Sequence, residues 1–205
     1  MLKLEKDLRK AYGDEYDNQT RSSVVIALSI AMFAHRNQYR LDGSLYYTHP
    51  HSLAKAFKEM ICIDNENFDY DDLLGCGVPF QGVLEVCWLH DVIEDTEYTE
   101  KEIEDIYCSK NLGLYYKQYI KSPLLLITHD KEEPYPSYIE KVCQNPISAL
   151  VKLLDLRDNL DPMSLDKLDN RQLKRGQDYY KYIKVINDKY HFVERIQLYR
   201  HEFIK

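Results

Sequence analysis

The apolar stretch from Val83 to Leu89 runs without a break into His90-Asp91-Val92-Ile93-Glu94-Asp95. At about 100° per residue, a helix continuing through these positions gathers His90, Asp91, Glu94 and Asp95 into one arc of roughly 140°. An imidazole and three acids then share one face of a greasy helix. Burying that much negative charge is costly unless a cation compensates it, so the least costly arrangement is a central helix whose end lines a metal site. The plain alternative is a solvated helix end, the usual place for acids that follow an apolar run.

Elsewhere the apolar residues recur mostly at helical spacing between seven glycines and seven prolines, which predicts an all-α fold built as a single helical bundle. Residues 1–205 form one domain with its motif core at about 22–190, since the length suits one well-buried core and no repeat or low-complexity tract marks a linker. A central helix is expected from Ser22 to His35, then a turn-rich loop from Asn37 to Thr48. His49-Pro50 leads into a helix from His51 to Met60, and Asp64 to Gly77 reads as a surface loop. Pro79 suits the first turn of the helix carrying His90 and Asp91, and Thr99-Glu100-Lys101-Glu102 fits a capping box for a helix ending near Tyr107. Tyr115 to Leu126 reads as helix interrupted at Pro123, and Thr128 to Pro136 as loop. Asn145-Pro146 opens an apolar helix, Ile147 to Leu160, that Asp161-Pro162 closes. Two helices, Ser164 to Arg171 and Gly176 to Ile186, and a helical tail to Lys205 complete the expectation.

Composition excludes several classes of function. No window approaches 18 uninterrupted apolar residues and the start, MLKLEKDLRK, is charged throughout, so neither a membrane span nor a signal peptide is expected. Five cysteines without a CxxC pair argue for reduced thiols in a cytoplasmic protein. A net charge of −7 disfavours a nucleic-acid polymer as partner. A small phosphate ligand remains compatible, provided cations or a metal concentrate in one pocket.

A second chemical block lies in Val151-Lys152-Leu153-Leu154-Asp155-Leu156-Arg157-Asp158-Asn159. Asp155 and Asn159 fall one turn apart on one face, and Asp155, set among apolar neighbours, needs a counter-charge. A metal shared with His90 and Asp91 would supply it.

His-Pro, then His-Asp, then a late lone Asp is the order of ligands in the HD phosphohydrolase superfamily. Within it, the chain resembles the hydrolase domain of the RelA/SpoT family and the stand-alone small alarmone hydrolases. Three blocks carry the resemblance: His35-Arg36-Asn37-Gln38-Tyr39-Arg40-Leu41-Asp42-Gly43-Ser44-Leu45-Tyr46-Tyr47-Thr48-His49-Pro50, then Leu89-His90-Asp91-Val92-Ile93-Glu94-Asp95-Thr96, and Val151 to Leu160. Asp178-Tyr179-Tyr180 extends it weakly.

The resemblance implies an HD-domain bundle with a buried site in which His49, His90, Asp91 and Asp155 bind one divalent metal, usually Mn²⁺ in this family. The donor chemistry agrees, because two imidazoles and two carboxylates leave room for water and substrate in an octahedral shell; Fe²⁺ and Zn²⁺ are the alternatives. Glu94 and Asp95 match the family's catalytic pair, one acting on the attacking water and the other on the leaving oxygen; in isolation they would read as a solvated helix end. Arg40 matches a position beside the nucleotide, with Leu41 where the family commonly has a lysine. Asn159 matches a residue contacting ribose or phosphate. Tyr179 either stacks on a base or packs, and Lys152 either meets a phosphate or snorkels at the surface. His35 reads as structural. The implied activity is that of a hydrolase-only protein removing the 3′-pyrophosphate from (p)ppGpp to give GDP or GTP in the stringent response. The alternatives are an HD-domain phosphohydrolase for another nucleotide and a catalytically silent nucleotide sensor.

Overall fold

The computed structural model describes residues 3–12, 22–61, 80–160 and 170–195. Their elements, in chain order, are α1 (Lys3–Tyr12), α2 (Ser23–Ala34), α3 (Thr48–Ile61), α4 (Val83–Leu89), α5 (Val92–Asp95), α6 (Glu100–Ser109), α7 (Gly113–Tyr115), α8 (Lys121–Ile127), α9 (Tyr135–Val142), α10 (Pro146–Asp158) and α11 (Asn170–Tyr190). A π-helical turn, Tyr116–Ile120, joins α7 to α8. The all-α expectation holds: among the described residues there is no strand, only one isolated antiparallel bridge, Tyr39 to Leu45, which pinches the loop before α3 into a hairpin. No helix among the described residues is long and apolar enough to cross a membrane.

Every residue of α4 is buried, so it serves as the axis of the bundle, packed against α2, α3, α8 and α10. α10 is the second axis. Nine of its residues are buried, and α3, α4, α8, α9 and α11 lie around it. Its start is the one the sequence signalled: the Asn145 side chain accepts from the backbone N–H of Ile147 and Ser148, with Pro146 at the first helical position. The capping box on α6 is also formed, with Thr99 and Glu102 each bonding the other's backbone.

Several local expectations are corrected. The helix expected to run through His90 and Asp91 loosens into a turn there, with α4 ending at Leu89 and α5 starting at Val92, while both residues keep right-handed helical dihedrals. His49 lies inside the first turn of α3 rather than ahead of it. α11 passes through Gly176 as one 21-residue helix, where two helices were expected; the glycine costs about 1 kcal/mol against alanine, too little to end a helix packed along α10. α1 and α9 were not foreseen. In α1, Leu4 and Leu8 are fully buried, one turn apart on an otherwise charged helix. The segments at Asp64 to Gly77, Pro79, Asp161-Pro162 and Ser164 to Asp169, and the tail beyond Arg195, lie outside the described residues.

Four tyrosines give their rings to the core or its edge and their hydroxyls to distant acceptors. Tyr107 donates to the carbonyl of Ser23, Tyr115 to Glu85, Tyr116 to Glu100 and Tyr190 to the carbonyl of Cys143. Each such latch satisfies a polar tip while burying an aromatic body.

The entry to α4 depends on one glycine. Gly82 has φ +90°, and a Cβ there would meet the carbonyl oxygen of Tyr119 at 2.5 Å. That oxygen lies one turn before Pro123, which has no N–H to offer it, so the π turn presents a carbonyl that only a side-chain-free residue can approach. Gly82→Ala is therefore expected to lose about 2 kcal/mol or more of stability, from left-handed strain and the clash together. Urea unfolding checks this, and an unchanged midpoint would contradict it.

Candidate metal centre

Three buried helix ends meet at the centre. The first turn of α3 brings His49, the joint between α4 and α5 brings His90 and Asp91, and the last turns of α10 bring Asp155 and Asp158. His49 and His90 face each other with their Nε2 atoms 3.3 Å apart. Asp91 Oδ2 lies 3.0 Å from His90 Nε2 and 3.7 Å from His49 Nε2. Asp155 Oδ1 lies 3.1 Å from His49 Nε2.

The outer ring nitrogens decide what the inner ones can do. His90 Nδ1 is 3.0 Å from the carbonyl of Cys87, which can only accept, so that nitrogen carries the proton. His49 Nδ1 is 2.7 Å from Asp158 Oδ2, and the same reasoning holds. In their neutral forms, both Nε2 lone pairs therefore point at each other and at carboxylate oxygens. That donor set repels itself unless a proton or a cation lies between, and two imidazole nitrogens with carboxylates suit a divalent ion.

His49, His90 and Asp91 each offer an atom within 4.8 Å of the others. The sequence-predicted fourth member, Asp155, stands at the edge of this cluster and is shared: Oδ1 also accepts from Asn159 Nδ2 at 2.6 Å, and Oδ2 from Lys152 Nζ at 2.6 Å. Lys152 is not a snorkelling surface residue. Its ammonium is 5.3 Å from the Tyr138 ring centroid and 5.9 Å from that of Tyr135, a largely shielded cation–π setting.

His49, Asp91 and Asp155 face a cavity of about 280 Å³ whose walls also include Arg40, Tyr46, Glu94, Lys152, Asn159, Arg175 and Tyr179. Glu94 is half-buried in that wall and accepts from the backbone N–H of His129 at 2.9 Å. Asp95 is exposed and is not part of the cavity wall. It accepts from Tyr46, whose hydroxyl lies 2.6 Å from Asp91 Oδ2 and 3.1 Å from Asp95 Oδ2. A neighbouring cavity of about 700 Å³ shares Tyr135, Arg175 and Tyr179 and adds Leu41, Arg171 and Lys174. His35 is buried, bonds Gln38 at 2.6 Å and lies against the Tyr46 ring; its Nε2 has no partner.

Sequence reasoning assigned no role to Asp158, Tyr46, Tyr135 or Arg175. Asp158 was findable, being three residues from Asp155 and so on its face of the helix. Tyr135 required knowledge of α9.

Burial favours neutral His49, but its bonds to Asp155 and Asp158 outweigh that and lift its pKa to about 10. Burial likewise opposes the ionisation of Asp155, yet the charges of Lys152 and His49 hold it well below 3.8. Glu94 moves the other way: burial raises it above its ordinary 4.5, the His129 N–H offsets part of this, and Asp91 and Asp95 reinforce it. A half-buried carboxyl with a raised pKa in a cavity wall is suited to proton transfer.

No family model matches the chain. It is similar to the guanosine-3′,5′-bis(diphosphate) 3′-pyrophosphohydrolase MESH1 of Drosophila melanogaster, at 26% identity over 164 residues, covering 78% of this chain and 80% of that protein. It is 28% identical over 149 residues to the bifunctional (p)ppGpp synthase/hydrolase SpoT of Escherichia coli K12, covering 71% of this chain but 19% of SpoT. A solved structure of a metazoan SpoT ortholog that hydrolyses ppGpp superposes with a TM-score of 0.60 at 23% identity, covering 89% of this chain and 93% of that one. That superposition establishes the shared fold.

Without metal, the raised pKa of His49 ties stability to pH. The contribution is fully present below the ordinary value of 6.5 and is lost as pH climbs through about 10. Urea unfolding of the metal-free protein should show stability falling across that window, with a shallower fall in His49→Gln. Divalent-ion affinity should rise over the same window as the ion displaces the proton; a flat profile in both measurements would contradict the geometry.

Proposed function

We propose that this chain, an HD-domain protein similar to the (p)ppGpp hydrolases, removes the 3′-pyrophosphate of guanosine tetra- or pentaphosphate in a divalent-metal-dependent reaction, leaving GDP or GTP. The observation that carries this reading is the convergence of His49, His90 and Asp91 on one point, in a chain whose MESH1 relative bears that activity in its name. His49, His90, Asp91 and Asp155 would hold the ion. When bound, it supplies Lewis acidity toward phosphate and water, and Mn²⁺ suits the donor set, with Fe²⁺ or Zn²⁺ as alternatives.

The remaining steps fall to the chain's own groups. Glu94 lines the cavity with a carboxyl of raised pKa, so it takes the proton of the attacking water. The water oxygen bonds to the phosphorus nearest the ribose, the bond from that phosphorus to O3′ breaks, and O3′ takes up a proton as pyrophosphate leaves. Asp95 accepts from the Tyr46 hydroxyl that also donates to Asp91 and so steadies Asp91 from outside, while the proton that Glu94 gains from the water is available to O3′. Arg40, Lys152 and Arg175 balance phosphate charge, Asn159 meets ribose or phosphate, and Tyr179 offers a ring to the base.

One observation favours a second reading, a different nucleotide on the same metal chemistry. Leu41 is 64% exposed in the wall of the larger cavity, where the resembled family commonly carries a lysine. Purified protein with Mn²⁺ and a panel of alarmones, dNTPs and cyclic nucleotides separates the two. Pyrophosphate release from the alarmones alone, abolished by a chelator, is expected; cleavage of another nucleotide with the alarmones intact would transfer the assignment.

Two variants test the residue roles. Asp155→Ala should abolish turnover and metal uptake together, and retained turnover would remove Asp155 from the ligand set. Glu94→Gln should lower kcat by roughly 10²–10⁴-fold while leaving metal affinity in place, an outcome that separates proton transfer from metal binding.

A further inference from the structure

We infer that Asp158 is a positioning residue for the metal centre, fixing the ring and tautomer of His49 so that Nε2 faces His90 and Asp91. The inference rests on the metal reading above and concerns a side chain outside the proposed ligand set.

Asp158 Oδ2 lies 2.7 Å from His49 Nδ1 and 2.9 Å from Arg40 Nη1, so one carboxylate oxygen joins the loop before α3, the first turn of α3 and the last turn of α10. All three side chains are largely shielded, at 5% exposure for His49, 14% for Arg40 and 19% for Asp158. Without Asp158, the Nδ1–H of His49 would lack this acceptor in a buried setting. The imidazole would then be free to carry its proton on Nε2, the atom that must point a lone pair at the ion. A carboxylate does more than a neutral acceptor, since it also increases the electron density a ligating imidazole can donate.

Arg40 makes this arrangement tolerable. Asp158 would otherwise add a further negative charge beside Asp91 and Asp155. The guanidinium compensates that charge and leaves the oxygen available to accept from the ring. His90 is held differently, by a backbone carbonyl at 3.0 Å that no side-chain substitution can remove. The sensitivity to mutation is therefore concentrated on the His49 side.

The test uses Co²⁺ as probe on the full chain, with affinity by calorimetry and ligand field by visible absorption. The wild type should bind one ion. Asp158→Ala should bind it about 10–100-fold more weakly, the usual effect of removing an outer partner of a ligating histidine, with an altered absorption band. Asp158→Asn, which keeps an acceptor oxygen, should lose less. In the metal-free protein, the downfield proton resonance of His49 Nδ1–H should disappear in Asp158→Ala. If the alanine variant does not fold, the asparagine variant decides alone, by weaker binding than wild type. Wild-type Co²⁺ binding with either folded variant inside twofold of it, and an unchanged band, overturns the inference. A wild-type chain that takes up no Co²⁺ overturns the metal reading and this inference with it, so the two failures are told apart by the wild-type arm.

Discussion

Two imidazole nitrogens 3.3 Å apart in a buried site, each with its other nitrogen committed as a donor, leave their lone pairs nowhere to go. Carboxylates on either side sharpen the problem, since they add negative charge without adding a proton donor. Only a proton or a cation between the rings resolves it, and the high pKa of His49 shows the metal-free chain taking the first course. The same electrostatic demand that raises that pKa suits a divalent ion, which could replace the proton among His49, His90 and Asp91. The arrangement is expensive in stability and is held by the surrounding helices.

Those helices are placed to impose it. α4 is buried along its whole length, so its end cannot drift. His90 and Asp91 follow it in right-handed helical conformation, so the joint stays on the course that α4 sets. Glu94 is then a cavity-wall carboxyl with a raised pKa, and Asp95, about 100° further round, is an exposed one tied to Tyr46. Two adjacent acids thus stand in different surroundings.

The parts of this legible in sequence were those with local causes. Caps at Thr99 and Asn145 follow from side chains bonding backbone within three residues, and the central helix follows from an unbroken apolar run. The motif blocks identified the groups at the centre. What was not legible depended on distant partners. Lys152 reads as a surface lysine until Tyr135 and Tyr138 of α9 are known to lie beside it. α1 carries only Leu4 and Leu8 as its buried face, a pattern too sparse to stand out among so many charges.

The charge pattern shows how a chain of net charge −7 can receive a polyphosphate. Its cations in the cavity wall are already engaged: Arg40 with Asp158, Lys152 with Asp155 and Arg175 with the Tyr179 hydroxyl. An arriving phosphate therefore exchanges partners with groups that are already oriented, rather than ordering loose side chains, which lowers the entropic cost of binding. The exchange has a direction. On the proposed function, drawing Lys152 toward substrate would loosen its hold on Asp155 Oδ2, and drawing Arg40 away would leave Asp158 to His49 alone. Under that reading, substrate charge and metal charge would favour each other through the carboxylates between them, and by linkage each would tighten the other's binding.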